Sequence, residues 1–166
     1  ITGPENQWTA RERLRGYRKA LNDAGYRVRT ANIFHCDAKF ASARAAAARL
    51  LTHPAPPDAI FCGNDAMALG AFVALREHGV LVPETMGLVG FGHLFEDAVL
   101  CLQLTTVAQD VPELAAQCAK ILLMRMNSAG PEKPVHYVSK TRLLVQNSSQ
   151  RSERPGLSIA AVGLQG

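Results

Sequence analysis

The run Ala59-Ile60-Phe61-Cys62 is wholly apolar and leads straight into Gly63-Asn64-Asp65, then into a helical pattern from Ala66 to His78 closed by Gly79. A short run of this kind is the pattern of a parallel strand buried on both faces. Met86 to Phe91 repeats it. Upstream, Leu14, Tyr17, Ala20, Leu21 and Ala24 recur at helical spacing between Trp8 and Ala24, and Gly25 supplies a C-terminal stop. Tyr26 to Phe34 alternates in part and predicts a strand; Ala41 to Leu51 predicts an alanine-rich helix closed by Pro54, Pro56 and Pro57. Helix and strand in alternation imply right-handed crossovers, and so an α/β fold with a doubly wound parallel sheet. Sites in such sheets lie at the carboxyl ends of strands, here Pro4, His35, Asn64 and Gly92.

The alternation stops after Thr105. Asp110 is placed to cap a helix from Val111 to about Asn127, with Leu114, Cys118, Ile121, Leu122 and Met126 on its apolar side. Extended segments are expected near Val135 to Val138 and Arg142 to Gln146, and a mobile polar stretch from Ser148 to Pro155. Leu157 to Leu164 is apolar again and has no evident place in the fold.

With 166 residues, 48% of them hydrophobic, one domain with a sizeable core is the expectation. The net charge of +4 is scattered apart from Arg11, Arg13, Arg15, Arg18 and Lys19, which read as a solvated helix face rather than a nucleic-acid stripe. Cys36, Cys62, Cys101 and Cys118 lack metal or disulfide spacing and read as reduced intracellular thiols acting as small apolar residues. No run approaches the ~20 apolar residues that span a bilayer, and no signal peptide leads the chain. Because residue 1 is Ile, the chain reads as processed, truncated, or numbered from inside a longer product.

Catalytic constellations are missing from the sequence. Gly90-Phe91-Gly92 starts like a dinucleotide fingerprint, but Phe95 stands at the third glycine position. There is no phosphate loop and no nucleophile elbow, and His35, His53, His78, His93 and His136 lack metal-pair spacing. His35 and His93 both fall at strand ends and are expected to be able to meet in a cleft. The reading is therefore non-catalytic, with no cofactor and no metal.

Several segments, in order, resemble the lactose/galactose-repressor family of transcription regulators. They are Ile1-Thr2-Gly3-Pro4, Arg13 ahead of Gly16-Tyr17, Pro57 through Ala71, Val82-Pro83-Glu84, Gly90-Phe91, and Leu104-Thr105-Thr106-Val107 followed by Gln109-Asp110. The resemblance implies the periplasmic-binding-protein type I fold, two α/β subdomains that close on an effector. It implies that residues 1–103 form mainly the C-terminal subdomain, 104–133 cross to the N-terminal subdomain, 134–147 return, and 148–166 are a tail. The helix-turn-helix reader has no counterpart here, so DNA is reached only through an N-terminal domain ahead of Ile1. A homodimer, a cytoplasmic setting and no membrane partner are implied as well.

By the resemblance, Arg13 binds effector oxygens, for which a planar guanidinium fork is suited. Asn64 is implied as an effector contact, although its place before a helix equally suits a cap. Gln109 is implied to line the cleft. The family's stacking aromatic falls at Ala38 here, with Phe40 two residues later, and the aspartate that many sugar-binding members carry after Gly90-Phe91 is replaced by Gly92 and His93. Losing an acid while keeping Arg13 and adding His93 points to a sugar acid of the gluconate type rather than a neutral sugar. Leu69, Val73, Phe95, Val99 and Leu100 are the expected dimer face. A periplasmic solute-binding protein of the same fold is the alternative; a flavodoxin-like or Rossmann enzyme has only the fold class in its favour.

Overall fold

Two glycines end two helices as the sequence predicts. The computed structural model describes residues 1–93, 102–127 and 134–151. Helix α1 (Trp8–Asp23) stops at Gly25 with φ +77, and the Tyr26 amide donates to the Leu21 carbonyl at 2.8 Å. The helix Asp65–Glu77, α3 in chain order, stops at Gly79 with φ +69, and the Val80 amide donates to Leu75 at 2.9 Å. Both are left-handed closures of the kind that satisfy the last carbonyls, and a side chain at either glycine would strain the backbone. Between them lies α2 (Phe40–Leu51).

Strands β1 (Ala59–Phe61), β2 (Gly87–Gly92), β3 (Thr105–Gln109) and β4 (Thr141–Leu144) form one sheet in chain order. β1 to β3 are parallel, with Phe61 beside Val89 and Phe91 beside Val107; β4 runs antiparallel on β3. The sheet is therefore mixed, not wholly parallel. It continues past β1, because Ile1 bonds to both Phe61 and Gly63, and Thr2 pairs with His35. Helix α4 (Val111–Met126) follows β3, capped by the Asp110 carboxyl on the Glu113 amide at 3.0 Å.

Four expectations need correction. Tyr26–Phe34 is not a strand: it holds a 3-10 turn at Thr30–Asn32, and the parallel pairing falls on residues 34–36, where Thr2 meets Phe34 and Cys36. Among the described residues no strand pairs with Tyr26 or Val28, so their alternation has no partner there. Val135–Val138 is not a strand either; Tyr137 donates to Glu113 of α4 at 2.7 Å instead. Ala59 is exposed and Phe61 half-buried, so β1 is buried on one face only. The expected mobile stretch begins at a fixed point: Ser148 is buried, donates to the Leu88 carbonyl at 2.6 Å and accepts from the Thr105 amide at 2.8 Å. Arg151 then donates to Pro83 at 2.9 Å, to Thr85 at 2.7 Å and to Asp58. Leu157–Leu164 and Cys101 lie outside the described residues.

The core sits between one face of the sheet and α2 with α3. Ile60, Leu88, Leu102 and Leu104 meet Ala43, Ala47, Leu50, Met67, Ala68, Ala71, Ala74 and Leu75. Small residues let the two helices come close, and Gly70 marks the closest point. A methyl there would drive into the Phe40 carbonyl and crowd the Arg44 amide, both backbone atoms with no freedom to swing away. Arg44 and Glu77 clasp the same pair outside, with two bonds of 2.9 and 2.6 Å, an exposed contact of small worth. Gly70→Ala is expected to destabilise the fold by about 1–3 kcal/mol, an overpacking cost, read as a lower urea midpoint at unchanged slope.

Candidate functional site

The opposite face of the sheet carries larger side chains. Phe61, Phe91 and Val107 point there from adjacent strands, and among the described residues α1 lies over them, with Ala10 its single buried residue. Between helix and sheet runs an open groove of about 570 Å³, lined by Trp8, Glu12, Arg13, Phe61, Phe91 and Gln109 among others.

Arg13 holds the groove together. Its Nη1 donates to the Gly63 carbonyl at 2.5 Å, and its guanidinium carbon lies 3.9 Å from the centre of the Phe91 ring, a cation–π contact. Desolvation lowers its pKa below the ordinary value, and the nearby Asp65 charge works the other way. One turn on, Tyr17 stacks on Phe61 with centroids 6.4 Å apart and rings 15° from parallel. None of the other basic residues of α1 lines this groove; Arg15 pairs with Glu12 and Lys19 with Asp23.

Asn64 caps α3. Its Oδ1 accepts from the Met67 amide at 2.7 Å while its Nδ2 donates to the Ala38 carbonyl at 2.9 Å. Ala38 stands at φ +66, a left-handed conformation that a bulky aromatic would adopt only with strain. Asp65, only 2% exposed, accepts from Thr106 Oγ1 at 2.7 Å and presses on β2 so closely that any side chain at Gly90 would collide with it. From sequence Asn64 is open to either an effector contact or a cap; it does the capping, and Asp65 beside it is buried against Thr106.

Of the residues singled out from sequence, Arg13 and Gln109 share the groove, while Asn64 adjoins it through Gly63. Phe40 opens α2 and is 37% exposed, and His93 is exposed at φ +56 just past β2; neither is among the groove's lining residues. His35 lies beside Glu5, with Nε2 3.2 Å from its carboxylate. Three strand spacings, about 14 Å, separate its strip from β2, so His35 and His93 do not meet. Trp8, Tyr17, Phe61 and Phe91 were missed as liners. Phe61 and Phe91 share a face only because of the register between strands, which no single sequence prints.

The groove can bind with an aromatic floor, a cationic donor fork and one amide. Among the described residues no group of three or more metal-ligating side chains gathers. Cys62 is fully buried, and burial pushes its thiol up to about 12 from its ordinary 9.0, so it is no nucleophile at neutral pH. The folded state thus favours the protonated thiol. Its contribution to stability is full below pH 9 and is lost as pH rises toward 12. The stability difference between wild type and Cys62→Ala should therefore shrink across that window in denaturant titrations. Thr106→Val, which removes the hydroxyl from a buried carboxyl, is expected to cost about 1.5–3 kcal/mol, with Thr106→Ser recovering most of it.

Residues 1–149 match the family described as periplasmic binding protein-like domain. The chain is 32% identical over 149 residues to the ribose operon repressor of Escherichia coli, covering 90% of this chain and 44% of that protein. It is 36% identical over 126 residues to the HTH-type transcriptional repressor CytR of Escherichia coli, covering 76% of this chain and 37% of that protein. The chain therefore spans less than half the length of these relatives. Among solved structures, a complex of the transcriptional regulator CelR with cellobiose superposes with a TM-score of 0.83 at 32% identity, over 90% of this chain and 45% of that one. A LacI-family regulatory protein from Chloroflexus aggregans gives 0.80 at 27% identity, over 91% and 54%.

Proposed function

Because the chain belongs to the lactose/galactose-repressor family of transcription regulators, within its periplasmic binding protein-like domain, we propose that it is the effector-sensing part of a DNA-binding regulator. The groove beside Arg13 is then one wall of the effector cleft. The observation that carries this reading is Arg13 itself, held on Gly63 and Phe91 at the carboxyl ends of β1 and β2 and facing open space. Parallel sheets bind ligands at that edge.

In this reading residues 1–103 and 134–147 form the C-terminal subdomain, and 104–133 cross to the N-terminal one. Helix α4 supports the crossing: none of its described residues is buried, and Leu122, Leu123 and Met126 stand exposed, as befits a helix whose covering layer belongs to another part of the protein. Ligand that favours one arrangement of the subdomains shifts a two-state equilibrium, and a helix-turn-helix ahead of Ile1 reads the outcome on DNA in the cytoplasm. Half-buried Leu69 and Val73 on α3 supply part of a homodimer face; Phe95, Val99 and Leu100 lie outside the described residues. A periplasmic solute-binding protein would carry a signal peptide upstream in place of that helix-turn-helix, and the names of the two sequence relatives, both repressors, favour the regulator. Among the described residues no helix is long and apolar enough to cross a membrane.

The ligand is sugar-like, in keeping with the ribose operon repressor and the cellobiose complex among the relatives. A gluconate-type acid is the finer form of the reading, favoured by Gly92 and His93 where a carboxylate would otherwise stand; the charge of Asp65 behind Arg13 weighs against it. Calorimetry of the natural full-length protein with gluconate, ribose and cellobiose separates the two. Binding of gluconate ahead of neutral sugars, lost in Arg13→Ala, is the outcome for the acid. Tighter neutral-sugar binding removes the acid and keeps the sensor.

A further inference from the structure

Trp8 opens α1 with 64% of its surface exposed, yet it lines the groove instead of turning away from it. The other large rings of the groove are engaged: Arg13 covers one face of Phe91, and Tyr17 stacks on Phe61. Among the described residues, the Trp8 indole has neither an aromatic nor a cationic partner, and its ring nitrogen donates to none of them. The largest apolar face in the groove is thus left free beside polar side chains that can grip hydroxyls, Arg13 and Gln109 from opposite walls, with Thr9 and Glu12 on the helix. Such a wall suits a molecule with one C–H face and a rim of hydroxyls. A sugar ring has both, whereas an open-chain polyol or acid has no rigid apolar face to offer.

We propose that Trp8 is the specificity-determining platform of the groove, stacking on the apolar face of a ring-form sugar whose hydroxyls Arg13 and Gln109 hold. The proposal rests on the groove being the effector site. Trp8 thereby takes the part of the aromatic that Ala38 cannot supply.

The test uses the natural full-length protein as wild type, Trp8→Ala and Trp8→Phe, titrated with pyranosides including cellobiose and with D-ribose, against sorbitol and gluconate as open-chain comparators. Ring sugars should bind with a change in tryptophan emission that is absent from Trp8→Phe. Trp8→Ala should weaken ring-sugar binding about tenfold, with Trp8→Phe restoring most of it and open-chain compounds unaffected. Wild-type affinity for ring sugars in Trp8→Ala overturns the platform while leaving the groove as the effector site. A Trp8 emission already blue-shifted and shielded from acrylamide in the ligand-free protein overturns it too, since the indole would then be packed against the rest of the chain. If no probe binds the wild type, both the groove reading and the platform fall.

Discussion

The buried carboxyl of Asp65 fixes the edge of the sheet on which the candidate site stands. Taking a carboxyl out of water is costly unless its oxygens find donors, and Thr106 on β3 supplies one. Gly90 on β2 makes room for it by having no side chain. One residue thus ties the start of α3 to both neighbouring strands, and the residues just before it inherit their places. Asn64 is set to cap α3 and to hold the Ala38 carbonyl; Gly63 is set to present its own carbonyl to Arg13. The α1 helix is seated on an atom whose position is decided two residues away, inside the core.

The two faces of the sheet are built from different residue sizes, and the difference explains why one is packed and the other open. On one side α2 and α3 present alanines and Gly70, which let the helix backbones approach closely, with Ile60, Leu88 and Leu104 of the sheet side and Met67 and Leu75 of α3 filling what remains. On the α1 side Phe61, Phe91 and Tyr17 hold the helix off, and α1 buries only Ala10 in return. A helix propped on aromatic rings leaves a groove beside it. Helix α4 extends the same asymmetry: Leu122, Leu123 and Met126 stand exposed among the described residues, and none of its residues is fully buried.

Local signals were legible in the sequence; pairing was not. Gly25, Gly79, Asn64 and Asp110 act at single positions, and each ends or starts a helix where it was expected to. The strand at Tyr26–Phe34 failed because alternation reports a half-buried surface without saying what lies beside it. The partner strip, Ile1–Thr2, reaches only residues 34–36. Ser148 looked like loop because serine, asparagine and glutamine cluster there, yet one hydroxyl with both a donor and an acceptor in the core is enough to pin the turn. The groove shows the same divide. Arg13 was legible from its place in a recognisable segment, while the aromatic floor depends on the register of three strands.

Arg13 serves the fold and the groove at once, and its chemistry allows both. A guanidinium has five N–H donors in a rigid plane; the bond to Gly63 takes one edge and Phe91 covers one face. Donors on the remaining edge stay available to a ligand without breaking the seat of α1. A lysine in the same place has a single ammonium, and engaging a ligand would draw it away from the carbonyl. Whatever enters the groove therefore meets a side chain already oriented by the sheet edge. Through Gly63 that orientation is coupled to Asn64 and Asp65, so the groove and the buried carboxyl behind it are parts of one arrangement.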